Sequence, residues 1–281
     1  MNKTIIITGA SDGIGKVAAE AFHEQGETVV IVGRSPEKTK AIAKELGVDY
    51  YVSDFAKLDD VKKLAKKLQK AYPKIDVLIN NAGGIFGKHQ VTIDGYEKTM
   101  QVNHLAHFLL TELLMDTLIA SKATIINTSS IANEILSKLD IADLNMKKKH
   151  TPNSAYGNAK LENILFTKEL ERRYGKKGIH AVAFHPGNVA TNFASNTTSV
   201  LRFMYQTPLK RLARLISPEQ GADTMLWLVN SQPNVDWKPG EYYVRRKITK
   251  AHALAYDEDV AKSLWKQSEE MVKHYSRKDE I

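Results

Sequence analysis

The sequence contains no cysteine, which removes disulfides, thiolate metal centres and cysteine nucleophiles together and fits a reducing compartment. No window approaches the ~18 apolar residues needed to cross a bilayer. The opening residues place Lys3 before Ile5, Ile6 and Ile7, but this run is too short for a signal peptide and leads into glycines, so it reads as a strand. The expectation is a soluble, cytoplasmic protein with no integral membrane segment. Low-complexity tracts, internal repeats and Gly/Ser/Pro linkers are also missing, which points to one domain over residues 1–281. His104 and His107 stand at i and i+3, yet no third ligand and no His-Glu-x-x-His pattern accompanies them. They read as packing residues, and no metal is expected.

Charge of one sign is in modest excess: Lys plus Arg exceed Asp plus Glu by 40 − 32 = +8. That surplus suits an anionic dinucleotide as well as a nucleic acid, and no nucleic-acid recognition motif is found. The basic run Lys147, Lys148, Lys149, His150 lies among turn-prone residues and reads as a solvated loop.

Short β-branched runs alternate with segments of helical period, the pattern of a parallel sheet with crossover helices. Strands are expected at 3–8, 28–32, 48–52, 75–79, 123–128, 179–184 and 241–244, and helices at 13–25, 36–46, 57–71, 95–119, 154–174, 218–230 and 258–274. Ser35 before Pro36 and Ser217 before Pro218 mark two helix starts. The fold class is therefore α/β, a Rossmann-type doubly wound parallel sheet of about seven strands with helices on both faces. The stretches 131–153 and 187–216 break the rhythm after the carboxyl ends of strands, where such sheets place ligands, and are the candidate substrate loops.

After the first strand comes Thr8-Gly9-Ala10-Ser11-Asp12-Gly13-Ile14-Gly15, opening a helix. Gly9 allows a tight turn, Gly13 a close approach of backbone to pyrophosphate, and Gly15 a close helix. The helix N-terminus then offers unpaired N–H groups to phosphate oxygens. The spacing differs from Gly-x-Gly-x-x-Gly and lacks a P-loop ending, which argues against a nucleoside triphosphatase. Arg34 ends the second strand where an NAD site usually carries an acidic residue, and its fork suits a 2′-phosphate; NADP(H) is thus expected over NAD(H).

Tyr156 and Lys160, at i and i+4 of a helix, share a face. Tyr243 and Lys247 have the same spacing, but in a strand-like run that would put them roughly 13 Å apart. Bringing the Tyr156 phenol from its ordinary pKa near 10 to about 7 takes ~4 kcal/mol, and an ammonium at ~4 Å in an effective dielectric of ~20 supplies about that. Tyr156 becomes a credible acid/base. Ser130, beside Ser129 at the fifth strand's end, could polarise a carbonyl oxygen, and Asn103 sits in a long helix where its propensity is poor.

These motifs together resemble the short-chain dehydrogenase/reductase family over nearly the whole chain: Thr8 to Gly15, Asn80-Asn81-Ala82-Gly83, and Tyr156 to Lys160. Val102 to Thr111 and Lys160 to Phe166 are similar to the retinol-dehydrogenase-like branch, with Ala106 where glycine is frequent. The N-terminal anchor of many retinoid enzymes is expected to have no counterpart. The resemblance implies an oxidoreductase moving hydride between NADP(H) and an alcohol, aldehyde or ketone. It assigns Ser130 to the substrate oxygen, Tyr156 to proton transfer, Lys160 to cofactor ribose and Asn103 to a relay water. It further places Ser11, Asp12 and Ile14 with the glycines at the cofactor, Asp54 on adenine, Asn81 to Gly83 along ribose, and Pro186, Gly187, Val189 and Thr191 at the nicotinamide and pyrophosphate. A regulator that binds NADP(H) without turnover is the alternative, and it would be marked by loss of the Tyr/Lys pair. Within 187–216, Leu201, Phe203, Met204 and Tyr205 cluster, and Leu209, Leu212, Leu215 and Ile216 recur at helical spacing, so a mobile lid over an apolar substrate is expected. A homo-oligomer stays open.

Overall fold

The computed structural model describes residues 2–189 and 216–276. Parallel strands β1 (Thr4–Thr8), β2 (Thr28–Gly33), β3 (Asp49–Val52), β4 (Val77–Asn80), β5 (Thr124–Thr128), β6 (His180–His185) and β7 (Tyr242–Val244) form one sheet. A short β8 (Lys247–Ile248) closes it in the order β3-β2-β1-β4-β5-β6-β7-β8. Among the described residues only β8 is antiparallel. The sheet thus has eight strands against the seven read from sequence, because Arg245 and Arg246 both take positive φ and turn the chain back on itself, the geometry of a tight hairpin.

Alternation along the strands decides which helix covers which face. Ile5, Ile7, Val29 and Ile31 pack with α1 (Gly13–Glu24), α2 (Pro36–Leu46) and α8 (Pro218–Asn230). Ile6, Val30, Val32 and Ile125 turn the other way, onto α3 (Leu58–Ala71), α5 (Ala106–Ser121), α7 (Pro152–Tyr174) and α9 (Glu258–Ser276). Both faces are dry, which is why these strands are continuous runs of Ile and Val rather than alternating ones. On the second face Trp265 of α9 meets Phe108 of α5 at 5.0 Å and Phe166 of α7 at 5.7 Å between ring centroids.

The helix expected at 95–119 is instead broken. It runs as α4 (Lys98–Met100), a π turn (Gln101–Leu105) and α5, with the N–H of Ala106 bonding back five residues to Gln101. Asn103, a weak helix former, sits inside that π turn. Of the two expected substrate loops, 131–153 begins with a short helix α6 (Ala132–Ile135). Of 187–216, residues 190–215 lie outside the described residues, and with them every member of the expected lid cluster except Ile216.

β1 lies between β2 and β4, so the connections leaving its carboxyl end and those of its neighbours diverge to opposite faces. A crevice at that point is a consequence of the topology.

Candidate active site

A cleft of about 770 Å³ occupies this position. Its floor on one side is the turn after β1. Gly9 has φ +69°, and a Cβ there would stand 2.7 Å from the Ala82 Cα, so the two turns touch only because Gly9 has no side chain. Thr8 Oγ1 accepts from the N–H groups of Asn81 (2.8 Å) and Ala82 (3.0 Å), and Asn81 Nδ2 donates to the Thr8 carbonyl at 2.9 Å. Ser11, Asp12, Gly13 and Ile14 line the cleft, with the Asp12 carboxylate capping α1 through the Gly13 N–H at 2.8 Å. Gly15 is buried behind the turn, outside the cleft wall.

At the end of β2, Arg34 is exposed and reaches the cleft rim. One turn into α2, Lys38 does the same, 3.9 Å from Asp12. The sequence reading missed Lys38; its signal was its place in the first turn of a helix whose start at Ser35-Pro36 was legible. Asp54 lies on the same wall beside Ser53, its carboxylate accepting from the Ala56 N–H at 3.1 Å. The Ser53 hydroxyl is buried with no hydrogen-bond partner.

The opposite wall is α7. Thr151 caps it, accepting from the Ser154 N–H at 3.1 Å, and Pro152 fixes its first turn. Tyr156 and Lys160 then fall on the cleft face at 7% and 2% exposure, with the lysine Nζ 5.4 Å from the centroid of the phenol ring. Nζ donates to the Thr128 carbonyl at 3.1 Å, which also accepts from Asn163 Nδ2 at 3.0 Å. Burial pushes the Lys160 ammonium down to about 7.

Both serines border the cleft, but their hydroxyls divide. Ser129 is buried and donates to the Lys160 carbonyl at 2.7 Å, while Ser130 is half-buried, its oxygen accepting from the Ala132 N–H at 3.2 Å. Asn103 is fully buried and its side chain is spent on the backbone: Nδ2 donates to Gly84 O (2.9 Å) and Thr99 O (2.8 Å), and Oδ1 accepts from Gly84 N–H at 3.1 Å. A Cβ on Gly83 would meet Asn103 Oδ1 at 2.4 Å and Lys160 Nζ at 3.4 Å, so this glycine lets the turn nest between them.

Pro186, Gly187, Asn188 and Val189 complete the lining after β6, together with His185, which burial holds neutral with a pKa of about 4. Thr191 lies outside the described residues. An apolar flank adjoins Tyr156, formed by Ile85, Phe86, Ile131 and Leu136. Ile85 and Phe86 were not singled out in the sequence, although they directly follow the Asn81–Gly84 turn.

The second Tyr/Lys pair is set aside for a reason other than strand rise. Tyr243 and Lys247 lie on two strands of a hairpin; the Tyr243 hydroxyl accepts from the Lys238 N–H at 2.8 Å and Lys247 is exposed.

A model of the short chain dehydrogenase family matches residues 3–201. Retinol dehydrogenase 13 of Homo sapiens is 36% identical over 281 residues, covering 96% of this chain and 84% of its own. A protein of Streptomyces sp. (strain C5), provisionally named a daunorubicin C-13 ketoreductase, is 35% identical over 273 residues, covering 95% and 91%. Among solved structures, an uncharacterised protein of Mycobacterium paratuberculosis gives a TM-score of 0.77 at 30% identity, covering 96% and 93%. The 3-ketoacyl-(acyl-carrier-protein) reductase of Brucella melitensis, complexed with NADH, gives 0.66 at 24% identity, covering 85% and 95%. With a matching family model over most of the chain and relatives of this similarity over nearly all of it, the chain belongs to the short-chain dehydrogenase/reductase family, in its retinol-dehydrogenase-like branch.

Proposed function

We propose that this oxidoreductase uses NADP(H) in preference to NAD(H) to interconvert an apolar alcohol and its carbonyl compound, with Tyr156 as the proton donor and acceptor. The observation that carries the reading is the juxtaposition, in one cleft, of the Tyr156–Lys160 pair and Ser130 with a glycine turn at a helix N-terminus. The donor set fits a dinucleotide: the first turn of α1 borders the cleft, and Arg34 and Lys38 put two cations at the rim where a 2′-phosphate would need them. Ser53, with its unpartnered hydroxyl, lies on the same wall.

When bound, the nicotinamide supplies or takes the hydride. The residues of this chain handle the proton. Ser130 donates a hydrogen bond to the substrate oxygen and orients it, and Tyr156 delivers or removes the proton at that same oxygen. While protonated, Lys160, with Nζ 5.4 Å from the ring centroid, favours the phenolate by a few kcal/mol at an effective dielectric of ~20. Asn103 contributes by position, holding the Gly83–Gly84 backbone against Lys160. Ile85, Phe86, Ile131 and Leu136 exclude water and favour an apolar substrate body.

Purified protein is to be screened with NADPH and NADH against aldehydes, ketones and quinones of graded polarity. The expected result is NADPH oxidation with the apolar carbonyl compounds. Turnover of none, or a preference for NADH, would overturn the proposal.

A further inference from the structure

His107 stands one turn beyond Asn103, fully buried, with both ring nitrogens engaged. Nδ1 lies 3.1 Å from the backbone carbonyl oxygen of Asn103, and Nε2 lies 3.1 Å from Thr8 Oγ1. Packing alone does not ask for an imidazole, since the ring meets Phe55 edge-on at 5.1 Å as any aromatic could.

Counting protons fixes the tautomer. A carbonyl oxygen only accepts, so Nδ1 carries the hydrogen. Thr8 Oγ1 already accepts from the N–H groups of Asn81 and Ala82, which fills its two lone pairs. A third donor has no place there. The threonine hydroxyl hydrogen therefore points away from its own donors, to the bare Nε2 or to the Ile79 carbonyl at 3.2 Å. Burial pushes the imidazole down to about 3, and the nearby charge of Lys160 and the ring of His104 act in the same direction, so the ring stays neutral.

The result is a closed circuit around the segment that borders both the cofactor turn and Lys160. Thr8 holds its start at Asn81 and Ala82, and Asn103 holds its end through the Gly84 N–H and carbonyl. His107 joins those two holders to each other. We propose that His107 is a positioning residue for the hydride-transfer reaction: its neutral ring locks the turn after β1 to the π turn, and so fixes Gly83–Gly84 and the Asn103 carbonyl relative to Lys160. This rests on the reading of Tyr156 and Lys160 as the proton-transfer pair.

The test compares His107→Phe, which keeps the ring and deletes both nitrogens, with His107→Gln, whose amide can donate to Asn103 O and accept from Thr8. His107→Phe is expected to lower kcat about 10- to 100-fold, as small misplacements at a reacting centre do, with the substrate KM changed far less. Its pH–rate profile should run parallel to that of the wild type, because a neutral ring adds no titrating limb. His107→Gln should recover most of the loss, and Thr8→Val should reproduce it, with the Thr8→Val/His107→Phe double variant losing less than the product of the two. Turnover of His107→Phe within twofold of wild type overturns the proposal, as does a loss in His107→Phe and His107→Gln alike that follows only their fall in Tm. If His107→Phe fails to fold, Thr8→Val with unchanged kcat overturns it. Tyr156→Phe is measured alongside: if that variant turns over, the proton-transfer reading itself falls, whereas an inactive Tyr156→Phe beside a fully active His107→Phe removes only the role of His107.

Discussion

At the β2 end of the cleft, Arg34 and Lys38 are exposed and reach it by side-chain length alone, whereas at the α7 end Tyr156 and Lys160 are packed into the protein at 7% and 2% exposure. The first arrangement leaves the side chains replaceable without touching the fold. In the second, each functional atom is also a structural one: Lys160 Nζ bonds the end of β5, and its own carbonyl receives the Ser129 hydroxyl. Burial is what makes an ammonium and a phenol act strongly on one another, because the interaction weakens about fourfold on passing from a dielectric of ~20 to water. The same burial ties chemistry to stability. Substitutions at the rim should therefore alter selectivity alone, and substitutions along α7 should alter rate, stability or both.

The largest expected effect is at Tyr156. Tyr156→Phe keeps the ring against Ile85 and Ala132 but removes the transferable proton, so kcat should fall by about 10³-fold or more. NADPH affinity by titration should stay within about threefold. Activity within threefold of wild type would break the contrast between the two walls at its strongest point.

The serine pair sharpens the contrast within two adjacent residues. Ser130→Ala should cost about 10²-fold in kcat, the scale of one hydrogen bond to a reacting oxygen, and leave Tm where it was. Ser129→Ala removes a buried bond worth roughly 1 kcal/mol and should lower Tm by about 2–4 °C with a far smaller effect on rate. Exchange of these outcomes would reverse the assignment of the two hydroxyls.

That division illustrates what the sequence could and could not convey. The sheet was legible because its central strands β1, β2, β4 and β5 carry near-continuous Ile, Val and Leu runs that alternate with helical segments, and the cofactor turn because glycine spacing is a local property. The eighth strand was not, since nothing in Arg245 and Arg246 signals positive φ. The π turn has nearly the periodicity of the helix it interrupts, and only the poor propensity of Asn103 hinted at it. Ser130 was assigned through the family resemblance alone; that the Ser129 hydroxyl is spent on the Lys160 carbonyl depends on how β5 meets α7, a tertiary fact. Lys38 and the Ile85–Phe86 flank were missed because each becomes part of a wall only when separate connections converge.

At the rim, Arg34→Asp should shift the ratio of NADPH to NADH efficiency by roughly 10- to 150-fold toward NADH, the range of a charge-assisted contact to phosphate. Lys38→Ala should shift it less, about fivefold, because a lysine holds phosphate as a point charge rather than a fork. Neither should move Tm. An unchanged ratio in Arg34→Asp would remove that side chain from the site.

The smallest expected effect is on the pH dependence of stability, and it isolates Lys160. Its ammonium titrates near 7 in the folded protein against an ordinary lysine value of 10.5. Between those values the unfolded chain binds a proton that the folded chain does not, so stability rises with pH across that window, and below it the cost is present in full. Of the other buried groups, Glu162, raised well above the ordinary carboxylate range by burial, works in the opposite sense, because the folded chain keeps a proton that the unfolded chain has lost. His104, His107 and His185, held down by burial to about 4, 3 and 4, contribute slope only below about 6.5, and Glu112, raised to about 7 by burial, only below about 7. Tyr72 and Tyr242, raised by burial, act in the opposite sense above about pH 10, where the unfolded chain begins to lose phenolic protons. Measured against a variant that lacks the lysine, the Tm of the wild type without cofactor should accordingly gain a few degrees from pH 7 to about 9.5. Lys160→Met, which fills the same space without a titrating group, is that variant, and its advantage over wild type should be greatest at pH 7 and shrink toward pH 9.5. A difference between the two that does not change with pH would mean that Lys160 keeps its charge in the buried site throughout, and that the two walls differ in exposure but not in the electrostatic cost of carrying their cations.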